Sequence, residues 1–395
     1  MRGAAGSPRR VLLVAALVLA AIPLGLALYG LGSGGSFYFK NARAPLAPAD
    51  AAPYYRESLL HVGLAHLAGV TRSIEPFRLF VLASWWLGLA ALLARVTRRL
   101  PPASTLLVWL VVLTHPAAMI VHAWTCHPDA LLFLLTVLLL VTDSPALLAL
   151  LAALAAWTNL PMAVAVALSV VLARHALATP DDPTAPRHAA PDLTTPPSPN
   201  SAIDLDLTAP PSPHRDPTSA PTSPRLVPLA LGLAFGALTC KLTLWLAGVH
   251  LARDRFAAAA AHDLPTLLHY WTAPGWPALY TLHFAHVLWF PALVRALRPR
   301  HPRILPALVA SQLLALAAAF LAEDTTRVFA LLAWPVPVYF LIHALPHARE
   351  HDRHHLRPCV VLAAAITLVA PKLFAWKGEL RTLEGAHAHL RGLLP

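Results

Sequence analysis

Three aspartates and a few cations stand beside apolar sequence, where a charge is expensive. Asp50 lies in Ala49-Asp50-Ala51-Ala52, and Asp129 directly follows Pro128 ahead of the run Ala130–Val141. Asp324 belongs to Glu323-Asp324-Thr325-Thr326-Arg327, a short polar break between two apolar runs. Lys241 sits inside the apolar stretch 227–249, with Arg253 and Arg255 just beyond it. A carboxylate can take the proton of an attacking hydroxyl, while arginine and lysine hold a departing phosphate. One carboxylate base with Lys241 and Arg327 as cations suits transfer from a phosphate-linked donor.

Each residue also has an ordinary structural role open to it. Asp50 suits a loop acid or helix cap. An acid beside Pro128 at a helix start is favoured by the helix dipole. A lysine inside a span can lift its ammonium to the interface. Asp324 and Arg327 can pair across one helical turn. His115, His122 and His127 fall at spacings that match no zinc motif, so a divalent metal is admitted but no ligand set demands one.

The elements that position these residues follow from composition. The chain has 395 residues, 57% hydrophobic and only 12% charged, with mean hydropathy +0.60. A soluble domain carries about 25% charged residues. Soluble enzyme, disordered chain and disulfide scaffold are therefore excluded, and the fold expected is an all-α polytopic membrane bundle. Apolar runs of the length a bilayer requires predict spans at 11–29, 77–94, 103–121, 129–142, 145–158, 160–173, 227–249, 277–297, 304–321, 326–345 and 358–376. With the N-terminus cytoplasmic, the basic clusters near Arg95, Arg174, Arg225, Arg298 and Arg349 all fall on the cytoplasmic side, and the C-terminus falls outside. The net charge of +11 is thereby read as a topology signal and not as a nucleic-acid footprint. The cysteines Cys126, Cys240 and Cys359 form no framework.

The chain divides into a membrane half at 1–178, a linker at 179–226 and a second membrane half at 227–395. The linker is rich in Pro, Ser and Thr, buries too little apolar surface to fold, and could dock a protein partner. The first outside loop, 30–76, contains Tyr54, Tyr55, Glu57 and an amphipathic stretch over 54–69 expected to lie on the outer leaflet. The loop 250–276 carries Arg253, Arg255 and a second short surface helix.

This layout resembles the GT-C superfamily of polytopic membrane glycosyltransferases, which use polyprenyl-phosphate sugars outside the cytoplasmic membrane. The resemblance covers about 30–345. It rests on the long first outside loop with Asp50 and its surface helix, Asp129 at the second outside turn, and the late Arg327 in EDTTRVFALL. It implies a cell-envelope enzyme transferring a sugar from a lipid-linked donor, with Asp50 as base and Asp129 as an alternate or acceptor-binding acid. Lys241, Arg327, Arg253 and Arg255 would contact the donor phosphate. Tyr54, Tyr55, Glu57, His127 and Asp324 would contact substrate, and Glu57 is a further candidate base. Membrane lipids are the other expected partners. A transporter or flippase, and a non-catalytic membrane scaffold, are the competing classes.

Overall fold

Prolines and small residues decide where the apolar runs become helices and where they break. The computed structural model describes residues 8–32, 34–178, 226–273, 284–347, 350–370 and 373–382. The expected linker lies almost wholly outside these residues. The first half contains α1 (Pro8–Tyr29), α2 (Ser36–Ala42), α3 (Leu59–Leu67), α4 (Ile74–Val96), α5 (Pro102–Thr114), α6 (Pro116–Ala123), α7 (Asp129–Val141) and α8 (Pro145–Leu177). The second contains α9 (Leu226–Leu246), α10 (Arg255–Ala260), α11 (Leu264–Thr272), α12 (Phe284–Val287), α13 (Phe290–Leu297), α14 (Ile304–Phe320), α15 (Thr325–Ala333), α16 (Pro335–His347) and α17 (Glu350–Val369). The expectation of an all-α bundle needs a small addition, because two two-stranded sheets are present.

Among the described residues, α1, α4, α8, α9 and the α15–α16 segment are long and apolar enough to cross a membrane. The bent pair α5–α6 makes a sixth. The remaining apolar helices are shorter, so the eleven expected spans do not appear as eleven continuous crossing helices. Pro116 breaks one run, because it lacks the amide proton that would continue the helix.

Between Asp129 and Leu177 the chain folds back on itself within α8. As a straight rod, α8 would place Arg174 about 40 Å from Pro145 at 1.5 Å per residue. Instead the Arg174 guanidinium donates to the Leu139 carbonyl at 3.0 Å and to that of Thr142, and lies 3.8 Å from the Asp143 carboxylate. The helix therefore folds back on itself. The reversal is at Asn159, the one non-helical residue in α8 (φ −166°, ψ 95°). Its Oδ1 accepts from the Met162 amide at 3.5 Å, capping the second arm, and Pro161 sits in that arm's first turn, where a missing N–H costs nothing.

Helix α9 runs parallel to the first arm of α8. Gly232 meets Ala149, Gly236 meets Ala153, and Trp157 Nε1 donates to Thr239 Oγ1 at 2.9 Å. This is small-residue packing of the kind that lets two membrane helices touch backbones. A Cβ at position 232 would lie 2.1 Å from the Ala149 carbonyl oxygen. Gly232→Val should therefore lower stability by about 1–3 kcal/mol, as overpacking does. Gly63→Ala, where nothing lies within 4 Å, should not. Thermal unfolding in detergent compares the two. The outer face of α9 exposes Leu231, Phe235, Leu238 and Trp245, an apolar exterior suited to lipid.

Charges separate to opposite ends. At one end Arg9 and Arg10 meet Arg98 and Arg99 around one cleft, and Asp143 sits between Arg95 (3.9 Å) and Arg174 (3.8 Å). The other end gathers α2, the turn Tyr54–Glu57, α3, α10, α11 and both sheets. There β1 (Ala49–Ala52) pairs in parallel with β2 (Val249–Leu251), joining the two halves of the chain. A hairpin of β3 (Leu373–Trp376) and β4 (Glu379–Thr382) turns at Lys377 and Gly378, both at positive φ. Its Ala375 amide donates to Thr326 Oγ1 at 2.9 Å, which ties the hairpin to the start of α15.

Candidate functional site

Two arginines anchor this second end. Arg327 occupies the first turn of α15, which places it between the head of α7 and the turn that precedes α15. Its Nη1 donates to both Asp129 carboxylate oxygens, at 2.9 and 3.1 Å, and its Nε donates to Asp324 Oδ2 at 3.0 Å. Asp129 is only 1% exposed. Two carboxylates on one guanidinium leave a cation whose orientation is fixed. Asp324 Oδ1 has no donor, and burial holds this carboxyl above the usual carboxylate range, against the pull of Arg327.

Arg255 starts α10 and is fixed in the same manner. Its amide donates to Glu57 Oε2 at 3.1 Å, and its guanidinium lies 3.7 Å from that oxygen. The guanidinium also donates to Tyr38 Oη at 3.2 Å and to Ser58 Oγ. The Tyr54 ring lies 5.5 Å from the guanidinium carbon. Beneath these groups Phe37, Tyr38, Trp124 and His127 pack ring against ring. His127 is buried, and burial together with the nearby Arg327 and Arg255 holds its imidazole well below the ordinary range.

Both arginines border one cavity of about 810 Å3. Arg253, His262, Glu323, Asp324 and Tyr54 share its polar end. Its other end is apolar and runs between the second arm of α8 (Ala165, Leu168) and α14 (Leu314, Ala317). A larger groove of about 1010 Å3 between α13 and α14 has no carboxylate in its lining, includes Arg295 and Arg298, and lies apart from the Arg255 and Arg327 pairs. The carboxylates and the two held arginines line or back the smaller one.

The structure brings together most, but not all, of the residues singled out in the sequence. Arg327, Arg255, Arg253, Asp324 and Tyr54 line the cavity. Asp129 and Glu57 stand behind it and hold the two arginines. Tyr55 packs on Phe37, with ring centroids 4.6 Å apart, and does not line the cavity. Asp50 is exposed on β1, away from the lining. Lys241 pairs with Asp254 at 3.0 Å on an exposed face and is likewise outside the lining. Among the described residues no group of three or more His, Cys, Asp or Glu side chains is arranged to hold a metal ion.

Sequence reasoning passed over Tyr38, Ser58, His262 and Glu323 as site residues, together with the apolar arm. The break Trp157-Thr158-Asn159-Leu160-Pro161 was the available signal for the arm, since it marks where α8 turns at the cavity wall.

The burial of Glu57 has a measurable consequence. Desolvation outweighs the attraction of Arg255, so its carboxyl titrates above the ordinary value of 4.5. A proton on Glu57 then binds the folded chain more tightly than the unfolded one. The stability this contributes is full below the unfolded value and is lost as pH rises through the folded one. Asp324 acts in the same direction. Glu57→Gln should therefore flatten the decline in stability above pH 4.5, read from denaturation at a series of pH values. Comparison of the chain with protein-family models, with characterised proteins and with solved structures finds no match.

Proposed function

We propose that this chain is a membrane glycosyltransferase of the GT-C kind, moving a sugar from a polyprenyl-phosphate donor to an acceptor on the extracytoplasmic face. One observation carries the reading: a single cavity joins a polar end bordered by fixed arginines to an apolar arm between helices. A lipid phosphate has that same division. Its phosphate would lie against Arg255, Arg327 and Arg253, and its first isoprene units against Ala165, Leu168, Leu314 and Ala317. Preorganised cations stabilise the charge that collects on the leaving phosphate without reorganising during the reaction. Asp129, Asp324 and Glu57 act as positioning residues for these cations. A single displacement at the anomeric carbon inverts its configuration.

The same proposal sets the membrane arrangement. We read eleven crossings: α1, α4, α5–α6, α7, the two arms of α8, α9, α12–α13, α14, α15–α16 and α17. The arginine-rich end is cytoplasmic, as the positive-inside rule requires, and the cavity opens toward the outside. The fold-back at Asn159 supports three crossings between 129 and 177. That odd number keeps the later basic clusters on the cytoplasmic side. On this reading the C-terminal hairpin is extracytoplasmic.

The test uses purified protein and a panel of polyprenyl-phosphate sugars, scoring binding and release of polyprenyl phosphate. Binding with release supports transfer. Movement of an intact lipid-linked sugar across vesicle membranes, with no release, would replace transfer with flipping.

A further inference from the structure

The transfer reading leaves one role open, because no residue so far accepts the proton of the attacking hydroxyl. Asp50 is outside the cavity, Asp129 is sealed behind Arg327, and Asp324 gives one oxygen to Arg327 and keeps the other buried. A different pair faces the cavity directly. His262, in the turn between α10 and α11, and Glu323, in the turn before α15, both line it. The His262 Nε2 lies 3.2 Å from Glu323 Oε1. Lys377 of the C-terminal hairpin lies 3.4 Å from the other carboxylate oxygen, and its amide donates to the Glu323 carbonyl at 3.0 Å.

We propose that His262, oriented by Glu323, is the general base of the transfer reaction, an assignment that rests on the glycosyltransferase reading. The geometry is that of a base fixed by a second group. With Nε2–H donating to Glu323, the Nδ1 lone pair is the acceptor, and the side chain is partly open to the cavity. The acceptor O–H gives its proton to Nδ1, and its oxygen forms the bond to the anomeric carbon. The bond between that carbon and the phosphate oxygen breaks, and the electron pair leaves on polyprenyl phosphate beside Arg255 and Arg327. The imidazolium that forms is stabilised by the Glu323 carboxylate, and Lys377 keeps that carboxylate in place. An imidazole changes charge near neutral pH, where a hydroxyl acceptor needs a base.

Other charged and titratable groups surround His262. Tyr270 of α11 stacks edge-on at 5.7 Å, Asp263 follows in the chain as the cap of α11, and Arg253, Arg255, Arg327, Asp324 and Tyr54 lie around the cavity, with Asp324 held by Arg327. The arginines stay charged throughout and Asp263 faces Thr266, which leaves the His262–Glu323 pair as the group whose protonation the reaction changes.

The experiment compares wild type, His262→Gln, His262→Ala and Glu323→Gln for farnesyl phosphate binding, turnover of the donor panel and the pH dependence of turnover. His262→Gln should bind farnesyl phosphate as wild type does, which also shows that it folds. Its turnover should fall by about 10²–10⁴-fold, with the acid limb gone. Glu323→Gln should fall less and displace that limb. Added imidazole should restore part of the turnover of His262→Ala. Unchanged turnover and an unchanged limb in His262→Gln would overturn the base assignment while leaving transfer standing. Loss of farnesyl phosphate binding in that variant would also overturn it, because it would show a structural role. Failure of wild type to bind farnesyl phosphate or turn over any donor would remove the transfer reading, and the base with it.

Discussion

Arg327→Ala is expected to abolish binding of lipid phosphates and to cost the folded chain about 3–5 kcal/mol, the usual cost of breaking a buried ion pair from one side. The cost comes from what remains. Asp129, 1% exposed, would keep a charge with no donor for either oxygen, and Asp324 would lose its one cation. Arg327→Lys separates the two effects. A lysine keeps the charge but is a point donor, and it cannot reach two carboxylates in the planar arrangement of a guanidinium. It should recover part of the stability and little of the binding. Adding Asp129→Asn and Asp324→Asn to Arg327→Ala removes the stranded charges. That triple variant should regain most of the lost stability and none of the affinity. Thermal unfolding and farnesyl phosphate titration, run on all three, decide it. A triple variant that binds would show that Arg327 serves the fold and that the phosphate is held elsewhere.

The same residues show how far the sequence could be read. Arg327 and Asp129 were legible by type, because a charge beside a long apolar run is too expensive to be incidental. Their pairing was not, since 198 positions separate them and no local period connects them. Asp324 was legible as a partner of Arg327 because three residues bring side chains together at the first turn of a helix. Asp50 shows the opposite case. The loop context suggested a base, but β1 pairs with β2 and leaves that side chain exposed, a consequence of strand pairing between the two halves of the chain. For Lys241 the sequence admits both a phosphate contact and a lysine that lifts its ammonium to the interface. On α9 the buried stripe is Leu229, Gly232, Gly236, Cys240 and Leu244, and Lys241 falls beside it, where Asp254 takes its ammonium. Within 129–173 the chain turns back at Asn159, next to Pro161. Their break is visible in the sequence, but the direction of the chain after it is fixed by Arg174 reaching back to the end of α7.

The apolar arm carries the second large effect. Each methylene removed from water contributes about 0.8 kcal/mol, so two buried methylenes already change affinity by about tenfold. A long lipid phosphate should therefore draw affinity from the arm in addition to what the arginines supply. Ala317 lines that arm from α14 and is itself exposed, so a larger side chain there fills the arm without disturbing the packed interior. Ala317→Trp should weaken binding of a long polyprenyl phosphate by at least about tenfold and leave inorganic phosphate binding unchanged. Leu305→Trp is the control. Leu305 lines the larger groove between α13 and α14 and is 45% exposed, so it accepts the same bulk at a site with no carboxylate. If Leu305→Trp weakens the long lipid and Ala317→Trp does not, the lipid tail lies in the larger groove, and the arginines at the cavity hold something without a tail. The predicted order follows from geometry: the arm beside Ala317 opens onto Arg255 and Arg327, whereas the larger groove offers Arg298 and Arg295, the latter already held by Asp352 at 3.2 Å.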